Sequence, residues 1–139
     1  MTDPIRDGRA MIAGMTPTLE ETEFVYCTAS DSDAVAKAQS TALGWFRERE
    51  GVSLILERST AATLGFDVSL PVRRIVLQVH SALDGVGLTA AVSAALCAEA
   101  IPCNVVAAYH HDHIFVPSAM AQRALEALKR IQSESARRL

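Results

Sequence analysis

Apolar residues recur with two different periods along this chain of 139 residues, most clearly in its second half. In "VRRIVLQVH" (72–80) Ile75, Leu77 and Val79 point one way and Arg74, Val76 and Gln78 the other, which predicts a strand. "LTAAVSAALCAEA" instead places Leu88, Ala91, Val92, Ala95 and Leu96 on one helical face. Beyond Pro102, "CNVVAAY" reads as a strand, "HHD" as a turn and "HIFVP" as a second strand. In "SAMAQRALEALKRIQ" a stripe of Met120, Ala124, Leu125, Leu128 and Ile131 predicts a helix, with Ser118 as its N-cap. The order β-α-β-β-α is a ferredoxin-like α+β unit short of one strand. The remaining "SESARRL" is too polar to supply a central strand, so the first half must.

The first half shows weaker signals. "MTDPIRDGRAMIAGM" predicts a short helix ending near Gly14, after which "TPTLEE" reads as a turn. "TEFVYCTA" is rich in β-branched and aromatic residues and predicts a strand. "SDSDAVAKAQS" reads as a loop or a weak helical turn. "ALGWFRERE" and "VSLILER" flank Gly51 and predict a hairpin. "STAATLG" predicts a short helix capped by Ser59 and stopped at Gly65, and "FDVSLP" a connector. Two half-units that complete each other are the expected organisation: an incomplete unit over 1–68 and a fuller one over 69–139.

Composition narrows the function classes. Half of the residues are hydrophobic, 21% are charged and the net charge is -3. Arg73/Arg74 and Arg137/Arg138 are isolated pairs and only 5% of residues are aromatic, so neither a phosphate footprint nor a base-stacking platform for nucleic acid is expected. The apolar run between Gly85 and Tyr109 is broken by Glu99 and Pro102, which argues against a membrane span. The charged N-terminal stretch does not read as a signal peptide. Cys27, Cys97 and Cys103 lack a framework spacing and read as free thiols of a cytoplasmic protein, each a small core residue rather than a nucleophile. Glu20 and Glu21 read as surface-loop carboxylates, and Trp45 and Phe46 as core or interface.

Two stretches carry candidate chemistry. "AYHHDHIF" holds His110, His111 and His113 around Asp112. A zinc site needs three or four ligands converging in a tetrahedron. On a strand, His111 and His113 share one face and His110 and Asp112 the other, so no face collects three. The readings are a tight turn, a ligand contact, or the metal of a hydrolase. The second stretch is "HSALDGVGLTAAV", a strand leading through a glycine-bearing loop into a helix. Free N–H groups at that helix start suit an anion, and glycine lets it approach. Ala90 stands where a dinucleotide fingerprint needs its third glycine, and no Lys-Ser/Thr pair makes a Walker loop. A plain strand–helix connection and a small anion pocket both fit.

From "RRIVLQVHSALDGVGLTAAVSAAL" through "IPCNVVAAYHHDHIFVP" the chain resembles an ACT domain. With "GMTPTLEETEFVYCT" and "WFREREGVSLILE" the resemblance extends to small bacterial tandem-ACT proteins. The C-terminal half is also similar to the ACT domains of aspartate kinases and of animal arginine sensors, where a "DH" followed by apolar residues and "VP" lies at the hairpin of Asp112 to Pro117. The resemblance implies a regulatory module that is not an enzyme and needs no cofactor. It implies binding of a small molecule, an amino acid, at an interface between ACT units. By position it implicates Ser81, Leu83, Asp84, Gly85, Val86, Gly87 and Leu88, with Asn104 and Val105. It makes the histidine stretch a β-hairpin. A homodimer is expected, with any regulated enzyme a separate polypeptide. The competing readings are a metal-dependent hydrolase using His110, His111, His113 and Asp112, and a purely structural interaction module.

Overall fold

The computed structural model describes residues 4, 7–79 and 85–138. Contacts divide the chain into two units, Met1–Glu21 with Arg73–Leu139, and Thr22–Val72.

The larger unit contains α1 (Gly8–Ala13), the opening of β1 (Pro17–Ala29), β4 (Val72–Leu77), α4 (Leu88–Ala98), β5 (Asn104–Ala107), β6 (Asp112–Pro117) and α5 (Ala121–Arg137). Its strands run in the order β1-β4-β6-β5. The opening of β1 is the strand that the β-α-β-β-α pattern lacks. Arg73 Nε donates to the Glu20 carbonyl at 3.0 Å, and Gln78 Nε2 donates to Thr18 Oγ1 at 3.2 Å. The expectation that the first half completes the second therefore holds for this unit. Its core joins Ile75, Leu77 and Val79 to the helical stripe of Leu88, Val92 and Leu96 and to Ala124, Leu125 and Leu128 of α5. Met11 of α1 is buried in the same core, and Gln132 Nε2 ties the end of α1 down through the Ala13 carbonyl and Thr16 Oγ1. Fully burying an aliphatic side chain contributes about 1.5–3 kcal/mol, so this shared core dominates the unit's stability.

The smaller unit contains the rest of β1 with α2 (Ser32–Gln39), β2 (Gly44–Arg47), β3 (Val52–Glu57) and α3 (Arg58–Thr63). The strand order is β2-β3-β1, antiparallel, with Val25 opposite Leu56 and both Cys27 and Trp45 opposite Leu54. Its core is Val25, Ala38, Leu54, Leu56 and Ala61. Alternation along β1 and β3 turns Val25, Leu54 and Leu56 to one face, where Ala38 of α2 and Ala61 of α3 complete the core.

Several local expectations are corrected. "TPTLEE" is not a turn: the chain reverses at Thr16, whose φ is 36°, and Pro17 already opens β1. Glu20 and Glu21 thus stand on a strand, and Glu20 is tethered by Arg74 Nε at 2.6 Å. "SDSDAVAKAQS" forms a full helix because Asp31 Oδ2 accepts from the Ala34 N–H at 3.1 Å, satisfying an otherwise orphan donor. Ser59 is not a cap, since α3 begins one residue earlier at Arg58. Ser118 is not the cap of α5: it opens a 3-10 turn, Ser118–Met120, and its hydroxyl is buried without a hydrogen-bond partner. Cys97 is exposed on α4, whereas Cys27 and Cys103 pack partly against the two cores, and all three thiols are free. No helix among the described residues is long and apolar enough to cross a membrane.

Candidate functional site

Leu88 opens α4, and Gly87 caps it with φ 110°, a backbone conformation that side chains with a Cβ resist. The first intrahelical bond runs from the Ala91 N–H to the Gly87 carbonyl at 2.9 Å. The N–H groups before Ala91 have no acceptor within the helix. Leu88 is buried and anchors the helix start to the core, so only its backbone is offered to the loop. Val86, by contrast, is 80% exposed. Ser81, Leu83 and Asp84 lie outside the described residues, as does His80.

Sequence reading missed a neighbour of this loop. A Cβ on Gly8 would stand 2.6 Å from the Val86 carbonyl oxygen, and one on Gly87 would stand 3.6 Å from Gly8 Cα. The start of α1 therefore packs backbone against backbone on the loop that opens α4. Asp7 caps that helix start by accepting from the Ala10 N–H at 3.0 Å. The "DG" of "RDGRAM" was the available signal, a capping carboxylate followed by a residue without a side chain. The two remaining positions open β5. Asn104 is exposed opposite Phe115, and Val105 is half-buried opposite Ile114. Alternation sends their side chains to opposite faces, so only one of the two can reach a given ligand by its side chain.

The histidine stretch forms the β5–β6 hairpin, closed by the Ala108 N–H donating to the His111 carbonyl at 3.1 Å. Its loop is Ala-Tyr-His-His, and Asp112, read from sequence as part of the turn, is already the first residue of β6, one position before the strand start expected at His113. His110 stands exposed, edge-on to Tyr109 at 5.0 Å. His111 is half-buried, and its Nδ1 has no partner. His113 faces β4, its Nδ1 3.5 Å from Arg74 Nη1. Among the described residues no group of three His, Cys, Asp or Glu side chains is placed to hold a metal. Elemental analysis is accordingly expected to find no stoichiometric zinc. About one tightly held metal per chain, lost in His111→Ala/His113→Ala, would contradict this.

Electrostatics favour positioning over nucleophilic chemistry. Burial, and then the Asp67 carboxylate, push the Cys27 thiol above its ordinary range, the opposite of an activated thiolate. Glu20, Arg74 and His113 form a row across β1, β4 and β6. A guanidinium only donates, so its hydrogen bond to His113 requires an unprotonated Nδ1. Burial of the ring, then the Arg74 charge and His111, hold His113 below its ordinary pKa, against the weaker pull of Glu20 and Asp112. A histidine depressed in the folded state takes up its proton first in the unfolded chain. Its contribution to stability is therefore complete above the unfolded value of 6.5 and declines as pH falls from there toward the folded value. Denaturation midpoints at pH 7.5 and 5.5 should fall less in His113→Gln than in the parent chain; equal falls would refute the assignment.

ACT-domain profiles match residues 4–73 and residues 70–130. The chain belongs to the ACT domain family. A Vibrio cholerae protein of unknown function, described as a possible transport protein, is 37% identical to this ACT chain. The match covers 89% of this chain and 94% of that one, with a TM-score of 0.78. An Agobacterium tumefaciens protein shares the fold at 18% identity and a TM-score of 0.67, over 85% and 89% of the two chains. The ligand-free regulatory subunit of Thermus thermophilus aspartate kinase does so at 9% identity and 0.63, over 85% and 97%. No curated protein matches the chain. Tandem ACT units agree with the resemblance carried by "RRIVLQVHSALDGVGLTAAVSAAL" and "GMTPTLEETEFVYCT".

Proposed function

We propose that this ACT protein is a regulatory or sensor module, not an enzyme, that reversibly binds an amino acid. The ligand carboxylate meets backbone N–H groups at the start of α4. Its contacts come from Ser81, Leu83, Asp84, Gly85, Val86, Gly87 and Leu88, with Asn104 and Val105, and Asp84 takes the amine. The observation that carries the reading is the left-handed Gly87 at the opening of α4, inside a segment matched by an ACT profile. A helix N-terminus with unused donors and a residue lacking a side chain favours a small anionic group. The ACT-like units are taken as 1–68 and 69–139. The protein works in the cytoplasm as a homodimer, and ligand binding alters its assembly or a separate protein partner. Equilibrium dialysis against labelled amino acids tests the reading. Saturable retention of one of them is expected, and retention of none would contradict it.

A further inference from the structure

Gly8 is the first residue of α1, a position where alanine would serve the helix better. Its backbone does not call for glycine. The described glycines with positive φ are Gly51, Gly65 and Gly87, so Gly8 holds a conformation that alanine adopts without strain. What excludes a side chain is the loop that opens α4. A Cβ on Gly8 would stand 2.6 Å from the Val86 carbonyl oxygen and 3.6 Å from Gly87 Cα. Both atoms belong to the backbone, so no side chain can swing aside to make room. Neither wall of the contact is loose. On one side Leu88 is buried in the core directly after Gly87. On the other Met11 is buried in the same core, and Gln132 fastens the end of α1. An ordinary contact begins near 3.4 Å, so a methyl group at position 8 must part the two backbones by about 0.8 Å.

We propose that Gly8 is a positioning residue for the amino-acid site: the start of α1 braces the turn at Val86 and Gly87, and α1 is held in place more firmly when an amino acid is bound. This rests on the amino-acid-binding reading and adds α1 to it. Gly8 acts through the loop, setting where the N–H groups that open α4 stand. Hydrogen bonds from such groups to a carboxylate are made at about 2.7–2.9 Å. A displacement as large as a methyl group at position 8 imposes takes them out of that range while the apolar core stays packed. The linkage runs in both directions. A helix of six residues does not persist away from its packing partners. A bound amino acid that fixes the loop therefore favours docked α1, by the same factor by which docked α1 tightens the amino acid.

Trypsin reads this linkage on the parent chain, without any variant. Arg9 lies within α1, so cleavage after it requires α1 to leave its place. Each common L-amino acid is first tested for retention by equilibrium dialysis, and the retained one is the probe. At a hundredfold excess over its dissociation constant it should slow cleavage after Arg9 by about tenfold or more. Cleavage after Arg49, in the exposed β2–β3 turn, should continue at its original rate. Unchanged cleavage after Arg9 with a retained amino acid present would overturn the proposal. Gly8→Ala is the second arm. It should keep the parent's circular dichroism and bind the retained amino acid about tenfold more weakly or worse, whereas Arg9→Ala should bind it as the parent does. A glycine needed for packing alone would lower the melting temperature of Gly8→Ala and leave its dissociation constant as in the parent. That result would overturn the role of Gly8 and keep the amino-acid-binding reading. Retention of no amino acid by the parent would overturn both.

Discussion

Met11→Ala is expected to destabilise the protein by about 2–5 kcal/mol, the range for truncating a large buried apolar side chain. Met11 is 1% exposed and is the one buried residue of the six-residue helix α1. A helix that short does not persist on its own, since its nucleation cost outweighs so few hydrogen bonds. Its place depends on the Met11 contact with the core of Ile75, Leu88, Val92 and Leu128, together with the Gln132 ties at its end. Loss of that contact should lower the urea midpoint strongly and open the 7–15 segment to protease. Arg9→Ala, on the exposed side of α1, should stay within about 0.5 kcal/mol of the parent. A Met11→Ala cost below about 1 kcal/mol would mean that α1 is not part of the larger unit's core.

Gly87→Val should both destabilise the fold, by about 1–3 kcal/mol, and remove the response to ligand. The two effects have different origins. The stability cost comes from φ 110°, which a β-branched residue resists; a Cβ there would meet Gly8 Cα at an ordinary 3.6 Å. The loss of response comes from two methyl groups placed over the N–H groups that open α4. Gly87→Ala should keep part of the response, having the strain without the bulk. Circular dichroism establishes that the variants fold, and melting with and without ligand reads the response. A folded Gly87→Val with the full parental response would place the ligand elsewhere.

The parts of the fold legible in the sequence are those whose periodicity is set by one nearby core. Ile75 and Leu77 alternate because β4 has one face under helices, with Val79 joining the same core just past the strand, and the α4 and α5 stripes repeat at helical spacing for the same reason. The missing strand could be inferred as a need but not located. "TPTLEE" carries a proline and two glutamates, which look like turn chemistry until Arg73 and Arg74, more than fifty residues away, bond the Glu20 carbonyl and carboxylate. Helix α2 was hidden by its small polar residues, although the Asp31 cap was present to be read. The caps expected at Ser59 and Ser118 failed because each helix or helical turn starts at or before the serine, so the side chain is not at the capping position. At the candidate site Gly87 was legible, whereas Gly8 was not. Its role is a backbone approach to Val86 nearly eighty residues along the chain, and no local pattern encodes that distance. Trp45 and Phe46 were read as core or interface, and only their exposure rules out the core.

A melting-temperature screen of the common amino acids tests the central claim most directly. A ligand that binds only the folded state stabilises it by about 2.7 kcal/mol at a hundredfold excess over its dissociation constant. For a chain of this size that raises the melting temperature by roughly 10 °C. The account predicts a shift of that order for one amino acid or a chemically related few, retained in His111→Ala and lost in Gly87→Val. A flat response to every amino acid, at concentrations up to tens of millimolar, would contradict it.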